Sequence, residues 1–438
     1  MGRASVNVYT LELATYPLIA RMMQIGILPD LEHYAQLSER LAIELECIQA
    51  VLEDQTGRPG FNANSYLQVG DVLFNQHGLE PIKLTDTGDP STNDKILEAL
   101  EHAHGIQVPV LSTIRSYREV YKLKSTFVDV VPSLVHRWPY DSRIHATFRT
   151  TRVVTGRLAA SDPNILALPK HGKFAKDFRQ GLICEPGHVL GEWDLSQIEL
   201  RMLAHLSQDP IMLAIFRGEM RNRDGTTIDL HSALAERIFG IVPSKQDKSK
   251  HRLPVKVINF GLPMGMQAQG LCLELRKNGL DVDEDDAQCW IDETMGLYKG
   301  VPVYQQDCIA EARRNGYVRC LSGRVRYIGG INASHEAARS EAERFAYSTK
   351  IQEGAQWIMK QAEARIWNDL LVPSWRQGHW IEPLMQVHDA MNIEMDVNMA
   401  QDVHQIMAQI MVIPPNGFSV PIETSGDFGP NLADLREF

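Results

Sequence analysis

Near the C-terminus, the segment LMQVHDAMNIEMDV sets two short apolar runs on either side of His388-Asp389. Two such runs joined by a pair of polar residues read as a β-hairpin, and this hairpin carries a carboxylate in its turn. Upstream, HVLGEWD reads as a short strand that ends on Asp194. SQIELRMLAHL follows at helical spacing, and its Ser196-x-x-Glu199 start has the pattern of a capping box. A second carboxylate thus stands at a strand junction, and the pattern is that of a mixed α+β protein.

At 438 residues the chain exceeds the size at which one hydrophobic core keeps growing, so several subdomains around a cleft are expected. From Tyr34 to about Asp54, Leu37, Leu41, Leu45, Ile48, Val51 and Leu52 recur at helical spacing. Gln55 to Asn93 is rich in glycine, proline, asparagine and threonine and reads as a loop-rich tip, after which PSTNDKILEAL offers Ser91 or Thr92 as a helix cap. A further helical run from Val110 to about Asp129 carries Arg115, Arg118, Lys122 and Lys124. This first part of the chain reads as an elongated helical subdomain with a partly basic surface.

Composition narrows the class. With 44% hydrophobic and 23% charged residues and no low-complexity tract, the chain is an ordinary globular sequence. Six scattered cysteines without a Cys-x-x-Cys pair fit a reducing compartment. The N-terminus lacks a basic segment followed by a long apolar run, and no apolar stretch reaches about 18 residues. A soluble, cytoplasmic protein with no membrane partner is therefore expected. A net charge of -11 argues against a polyanionic partner, yet the charge is uneven. Arg137, Arg143, Arg149, Arg152, Arg157, Lys170, Lys173, Lys176 and Arg179 face only Asp141, Asp162 and Asp177 across one stretch. Lys245, Lys248, Lys250, Arg252 and Lys256 form a second basic run beside Asp247. Each run alone reads as a solvated face, but the pair flanks the Asp194 motif.

Two aspartates at strand ends are the minimum needed to hold a pair of divalent cations for in-line phosphoryl transfer. Taken singly, an aspartate at such a place is more often a turn or cap residue. Arg252, Lys256 and Phe260 lie four residues apart, so on a helix they share one face, with two cations and an aromatic ring side by side.

Three blocks in order, DLSQIELRMLAHLSQD from Asp194, RLPVKVINFGLPMG from Arg252 and QVHDAMNIEM from Gln386, resemble the three polymerase motifs of the family A DNA polymerases, the bacterial polymerase I type. The resemblance extends through TGRLAASDPN, DLHSALAERIFG, PSTNDKILEAL and KLKST, and covers nearly the whole chain from about Tyr16. It implies a right-hand polymerase fold with an antiparallel-sheet palm and helical fingers and thumb. The expected division is palm over 1–26, thumb over 27–135, palm over 136–206, fingers over 207–330 and palm over 331–438.

The same resemblance implies that Asp194, Asp389 and the backbone carbonyl of Leu195 ligate two Mg²⁺ ions, for which Mn²⁺ can substitute. Arg252, Lys256, Phe260, Glu199, His231 and Gln197 would form the dNTP site. Lys256 would serve as general acid for pyrophosphate departure, and Glu199 would obstruct a ribose 2′-hydroxyl. Arg157, Arg344, Gln352, His388, Lys122 and Lys124 would contact primer-template DNA. Phenylalanine at position 260 is associated with rejecting dideoxynucleotides.

The chain departs from the family pattern at three places. Met264 stands where tyrosine is usual, Ala390 where glutamate usually follows the aspartate, and Ser348 where asparagine is frequent. Pro263 sets an expected end of the Arg252 helix just after Gly261 and Leu262. The resemblance starts within the first 20 or so residues, which leaves no space for an exonuclease domain and implies synthesis without intrinsic proofreading. A separate exonuclease, helicase or clamp would then be a partner. A single-subunit RNA polymerase and an inactive primer-template binding module are the rival readings. Glu199 in SQIEL weighs against the first, and intact Asp194, Asp389 and Lys256 against the second.

Overall fold

The computed structural model describes residues 8–437 apart from 86, 139, 170–171, 222–224, 243–250 and 262–263. Lys170, Lys245, Asp247, Lys248 and Lys250 of the basic runs, and the Leu262–Pro263 boundary, lie outside the described residues. Up to Lys122 the described chain is largely helical: α1 (Val8–Ile25), α2 (Leu31–Thr56), α3 (Asp94–His104) and α4 (Val110–Lys122). Asp30 caps α2 by accepting from the His33 amide, and Gly57 ends it in the left-handed region at φ 67°. The helix buries Tyr34, Leu37, Leu41 and Leu52, while Val51 is exposed. Helices α2 and α4 pack together. They join a self-contained core that includes Leu52, Phe61, Leu97, Leu111 and Ile114.

One local expectation fails here, and another gains detail. The α3 cap is Asn93, whose side chain accepts from Ile96 N at 3.0 Å, and Ser91 and Thr92 are buried instead. The supposed loop from Gln55 to Asn93 contains a helical turn at Tyr66–Gly70 that runs into a π-helical turn at Asp71–Gln76. Val69, Val72 and Leu73 from these turns fill the local core, so apolar burial overrides the turn-rich composition.

The centre of the molecule is a five-stranded antiparallel sheet. Its strands in chain order are β1 (His188–Leu195), β2 (Ile381–Val387), β3 (Ala390–Asp396), β4 (Thr424–Gly429) and β5 (Arg436–Glu437), and in space the order is β5-β4-β1-β3-β2. The expected hairpin is β2–β3, closed by a Val387–Ala390 pair around His388 and Asp389. The longer helices that follow are α5 (Ile198–Ser207), α6 (Leu230–Phe239), α7 (Arg252–Gly261), α8 (Ala268–Lys277), α9 (Glu284–Leu297), α10 (Gly300–Asn315), α11 (Glu336–Arg365) and α12 (Ala400–Ile410). Helices α6 to α9 share a separate core around Leu234, Val255, Ile258, Leu271 and Leu275. Helix α1 packs on β2 and α11, and α12 packs on β4 and β1. With helices over the sheet, every residue of β2 is buried, including Glu382, which Arg21 of α1 holds by a bond of 2.7 Å and a second to the other oxygen.

The basic run from Arg137 to Arg179 is not one surface. Arg143 is buried and bonds Glu394 at 2.9 Å and Glu185 at 3.1 Å. Arg179 donates to the Leu432 carbonyl, Lys173 pairs with Glu44, and Lys176 with Asp434. Arg137, Arg149 and Arg152 are exposed. Sequence spacing cannot separate a cation facing solvent from one paired across the fold.

Beneath the sheet, α1 and α11 meet through a polar network. Glu12 accepts from Arg324 at 2.7 Å and from Lys360, while Glu363, one helical turn beyond Lys360, has neither oxygen hydrogen-bonded. Burial raises the Glu363 carboxyl to about 8, with Lys360 opposing and the Glu12 carboxylate adding to the rise. Because this folded-state value lies above the unfolded one of 4.5, Glu363 favours the fold fully below pH 4.5, and that contribution is lost as pH rises through about 8. Replacing Glu363 by Gln should flatten the pH dependence of stability and raise stability by roughly 3 kcal/mol at pH 7. Thermal unfolding of both proteins between pH 5 and pH 9 checks this; parallel curves would refute it.

Candidate active site

Asp194 is the penultimate residue of β1 and pairs with Ala390, the first residue of β3. Asp389 precedes Ala390 in the hairpin turn, so adjacent strands bring the two aspartates to the same end of the sheet. The Leu195 amide donates to the Asp389 carbonyl at 3.1 Å, and the Thr424 hydroxyl donates to the Asp194 carbonyl at 2.8 Å. His388 adopts a left-handed backbone at φ 59°, a strained conformation for a residue with a side chain. Its carbonyl accepts from Gln356 at 3.0 Å and from Gln386 at 2.5 Å. The turn is thus held by main-chain and amide contacts.

Both aspartates line a cavity of about 390 Å³ together with Arg157, Gln197, Glu199, Phe260 and His388. The capping box expected at α5 does not form. The helix starts at Ile198, and Gln197 takes the cap position in the left-handed region at φ 51° with no side-chain cap. Glu199 reaches instead to the Arg157 guanidinium. Burial pushes the Glu199 carboxyl above its usual range, Arg157 opposes this, and the nearby Asp389 carboxylate adds to it.

A second cavity of about 500 Å³ shares Ser196 and Gln197 with the first and is lined by Arg217, His231 and Arg252. Arg252, at the start of α7, donates to Ser232 at 3.1 Å and Asp229 at 3.2 Å, and Asp229 caps α6. His231 is buried; burial lowers its imidazole to about 4 despite Asp229, with Arg252 and Lys256 lowering it further. The ring is therefore neutral near pH 7. One turn on from Arg252, Lys256 and then Phe260 follow on the exposed side of α7, with the ammonium 5.9 Å from the ring centre. Val255, Ile258 and Asn259 occupy the buried side. The stripe read from the spacing is present, and the described part of α7 runs to Gly261.

The other expected residues are more dispersed. On α11, Arg344 donates to Ser340 at 2.9 Å, and the Gln352 amide contacts the Met264 sulfur at 2.8 Å. Lys122 ends α4 and lines a different cavity, beside Phe127 and Ile165. Lys124 is paired with Asp129 at 2.8 Å and Ser38 at 2.8 Å. Neither lysine lines the aspartate cavity. Gln356 and Ser425 do line it and were not singled out from the sequence. Gln356 lies one helical turn after Gln352, a spacing that would have found it; Ser425 depends on the register of β4 opposite Asp194, which only the fold supplies.

The two carboxylates offer hard oxygen ligands of the kind a divalent cation takes. Among the described residues no group of three or more His, Cys, Asp or Glu forms a closed metal site.

Comparison with known proteins agrees with this reading of the fold. The sequence model of DNA polymerase family A matches residues 31–434. The chain is similar to the thermostable DNA polymerase I of Thermus thermophilus, at 34% identity over 423 residues, 96% of this chain and 47% of that protein. It is also similar to DNA polymerase I of Pseudomonas aeruginosa, at 32% identity over 403 residues, 92% of this chain and 41% of that one. The chain spans about half the length of the curated relatives it matches. Among solved structures, the POL domain of Pol1 from M. smegmatis, in complex with DNA primer-template and dNTP, superposes with a TM-score of 0.83 at 29% identity, covering 96% of this chain and 70% of that one. A right-hand polymerase fold built around the Asp194–Asp389 sheet end, matched by a family model along most of its length, makes this chain a member of DNA polymerase family A.

Proposed function

We propose that the chain is a template-directed DNA polymerase that extends a primer 3′ end with dNTPs and releases pyrophosphate. The observation that carries the reading is the meeting of Asp194 and Asp389 in one cavity with Phe260, beside a second cavity walled by His231 and Arg252. A nucleotide lying across both would set its α-phosphate near the carboxylates and its outer phosphates near the cations. In this reading 1–26, 136–206 and 331–438 form the palm, 27–135 the thumb and 207–330 the fingers. The local cores within 27–135 and within 207–330 support that division, while the bases of both regions pack in the sheet's core.

Asp194, Asp389 and the Leu195 carbonyl would hold two Mg²⁺ ions, with Mn²⁺ able to substitute. When bound, the ions would lower the pKa of the primer 3′-hydroxyl and neutralise charge on the leaving pyrophosphate. The protein's own groups do the rest. Arg252 and Lys256 attract the triphosphate, neutral His231 offers it a hydrogen bond, and Lys256 holds a proton on Nζ to give to the departing pyrophosphate. Phe260 packs beside the sugar in the cavity that Gln197 and Glu199 also line. Glu199, fixed by Arg157, fills the space a ribose 2′-hydroxyl needs.

Arg157, Arg344, Gln352, His388, Lys122 and Lys124 are assigned to the primer-template. Hydrogen bonds to minor-groove acceptors from such groups sense pairing geometry without reading sequence. For Lys124 this requires release from Asp129, a partly exposed pair of small net strength. We place the activity in the cytoplasm, with a separate exonuclease, helicase or clamp as candidate partners. No helix among the described residues is long and apolar enough to cross a membrane.

Extension of a labelled primer on a DNA template with Mg²⁺ tests the reading. The wild type should add dNTPs as directed by the template, and Asp389→Ala should lower the rate by roughly three orders of magnitude or more. Preference for ribonucleotides would favour an RNA polymerase, and tight primer-template binding without extension an inactive module. Glu199→Ala should raise ribonucleotide incorporation by roughly 10–100-fold while leaving dNTP extension measurable; unchanged sugar selectivity would remove the role given to Glu199. For these 438 residues we assign no proofreading, so a mismatched primer incubated with metal and no nucleotide should stay intact.

A further inference from the structure

Asn259 lies on the buried side of α7, fully enclosed, next to the N-terminal turn of α6. Its side-chain nitrogen makes two contacts, to the Leu230 carbonyl at 3.3 Å and to His231 Nδ1 at 3.0 Å. A carbonyl oxygen can only accept, so the amide must turn its NH₂ group toward Leu230. The opposite flip would set two acceptor oxygens against each other. With one amide hydrogen on Leu230, the other points at Nδ1, and Nδ1 must then accept. The remaining oxygen, Asn259 Oδ1, is buried without a hydrogen-bond partner. An orphaned buried acceptor is unfavourable and calls for an explanation beyond packing.

We infer that Asn259 is a positioning residue that fixes His231 in the tautomer with its hydrogen on Nε2, so that His231 presents an N–H donor to the outer phosphates of an incoming nucleotide. A neutral imidazole has one donor and one acceptor nitrogen, and a polyanion is recognised only by the donor. Occupying Nδ1 from within the core leaves Nε2 as the donor nitrogen of a ring that lines the same cavity as Arg252. The burial that keeps the imidazole neutral makes this choice matter, since a charged ring would donate from both nitrogens. The phosphate role rests on the polymerase reading above; the tautomer does not.

Long-range ¹⁵N–¹H spectra of the full chain labelled at histidine, with the His231 signals identified by their loss in His231→Gln, should show the Nε2-protonated pattern at pH 7 without nucleotide. A Nδ1-protonated or doubly protonated ring would overturn the inference, whatever the protein's activity. Asn259→Leu removes the donor at similar size, and Asn259→Asp replaces it with an acceptor. Both should move the ring away from the pure Nε2 form. Asn259→Leu should raise the KM for dNTP by about tenfold, with a smaller change in kcat. An unchanged tautomer together with an unchanged KM in Asn259→Leu would also overturn it. Should either variant fail to fold, the wild-type spectrum alone decides the tautomer. A correct tautomer in a protein that extends no primer would discard the polymerase reading and leave the role of Asn259 toward His231 standing.

Discussion

The hydrogen bond from the Leu195 amide to the Asp389 carbonyl joins two parts of the chain that are distant in sequence and carry the chemistry. Around it, the register that sets Asp194 opposite Ala390 fixes which end of the sheet holds the carboxylates. A slip of one residue would turn Asp194 to the other face of the sheet, because side chains alternate along a strand. The apolar side chains of β1 to β3, buried under the flanking helices, oppose such a slip. Trp193, Leu195, Met391 and Ile393 are all enclosed. The position of two polar groups is thus enforced by the burial of their apolar neighbours.

The strands, the hairpin and the helical faces were legible because periodicity is a local property. The Asp194 strand, the turn at His388-Asp389 and the Arg252–Lys256–Phe260 stripe could all be read from spacing alone. The failures share a cause, which is a partner far away in the chain. Ser196-x-x-Glu199 has the spacing of a capping box, but Arg157 takes the carboxylate from another loop. Arg143 looks like one more cation in a basic run until the fold sets it against Glu394, whose side chain is fully buried. Asn93 displaces Ser91 and Thr92 as a cap because those two are drawn into the core beside α4. The grouping of the motifs into a polymerase came from resemblance, and no spacing rule would have paired Asp194 with Asp389.

Charge in this protein is organised by depth. The net charge of -11 argues against a nucleic-acid partner as an average. Much of the acid is nevertheless internal or paired, as with Glu382 on Arg21 and Glu394 on Arg143. Removing one member of such a buried pair leaves the other uncompensated, which destabilises strongly, whereas an exposed pair such as Lys173–Glu44 contributes little. Salt should therefore act on the outer surface and leave the sheet's polar supports intact.

The separate cores of α2–α4 and α6–α9 have a consequence for how such a chain can change over generations. Residues such as Leu97 and Leu111, or Leu234 and Leu271, pack within their own groups and do not belong to the sheet's core. Substitutions among these residues meet neighbours in their own group first, and reach the sheet only through the parts of α2, α4 and α6 that pack in its core. The helical units can drift in sequence, length and surface character at a pace of their own, while the strands beneath stay bound to one another by register.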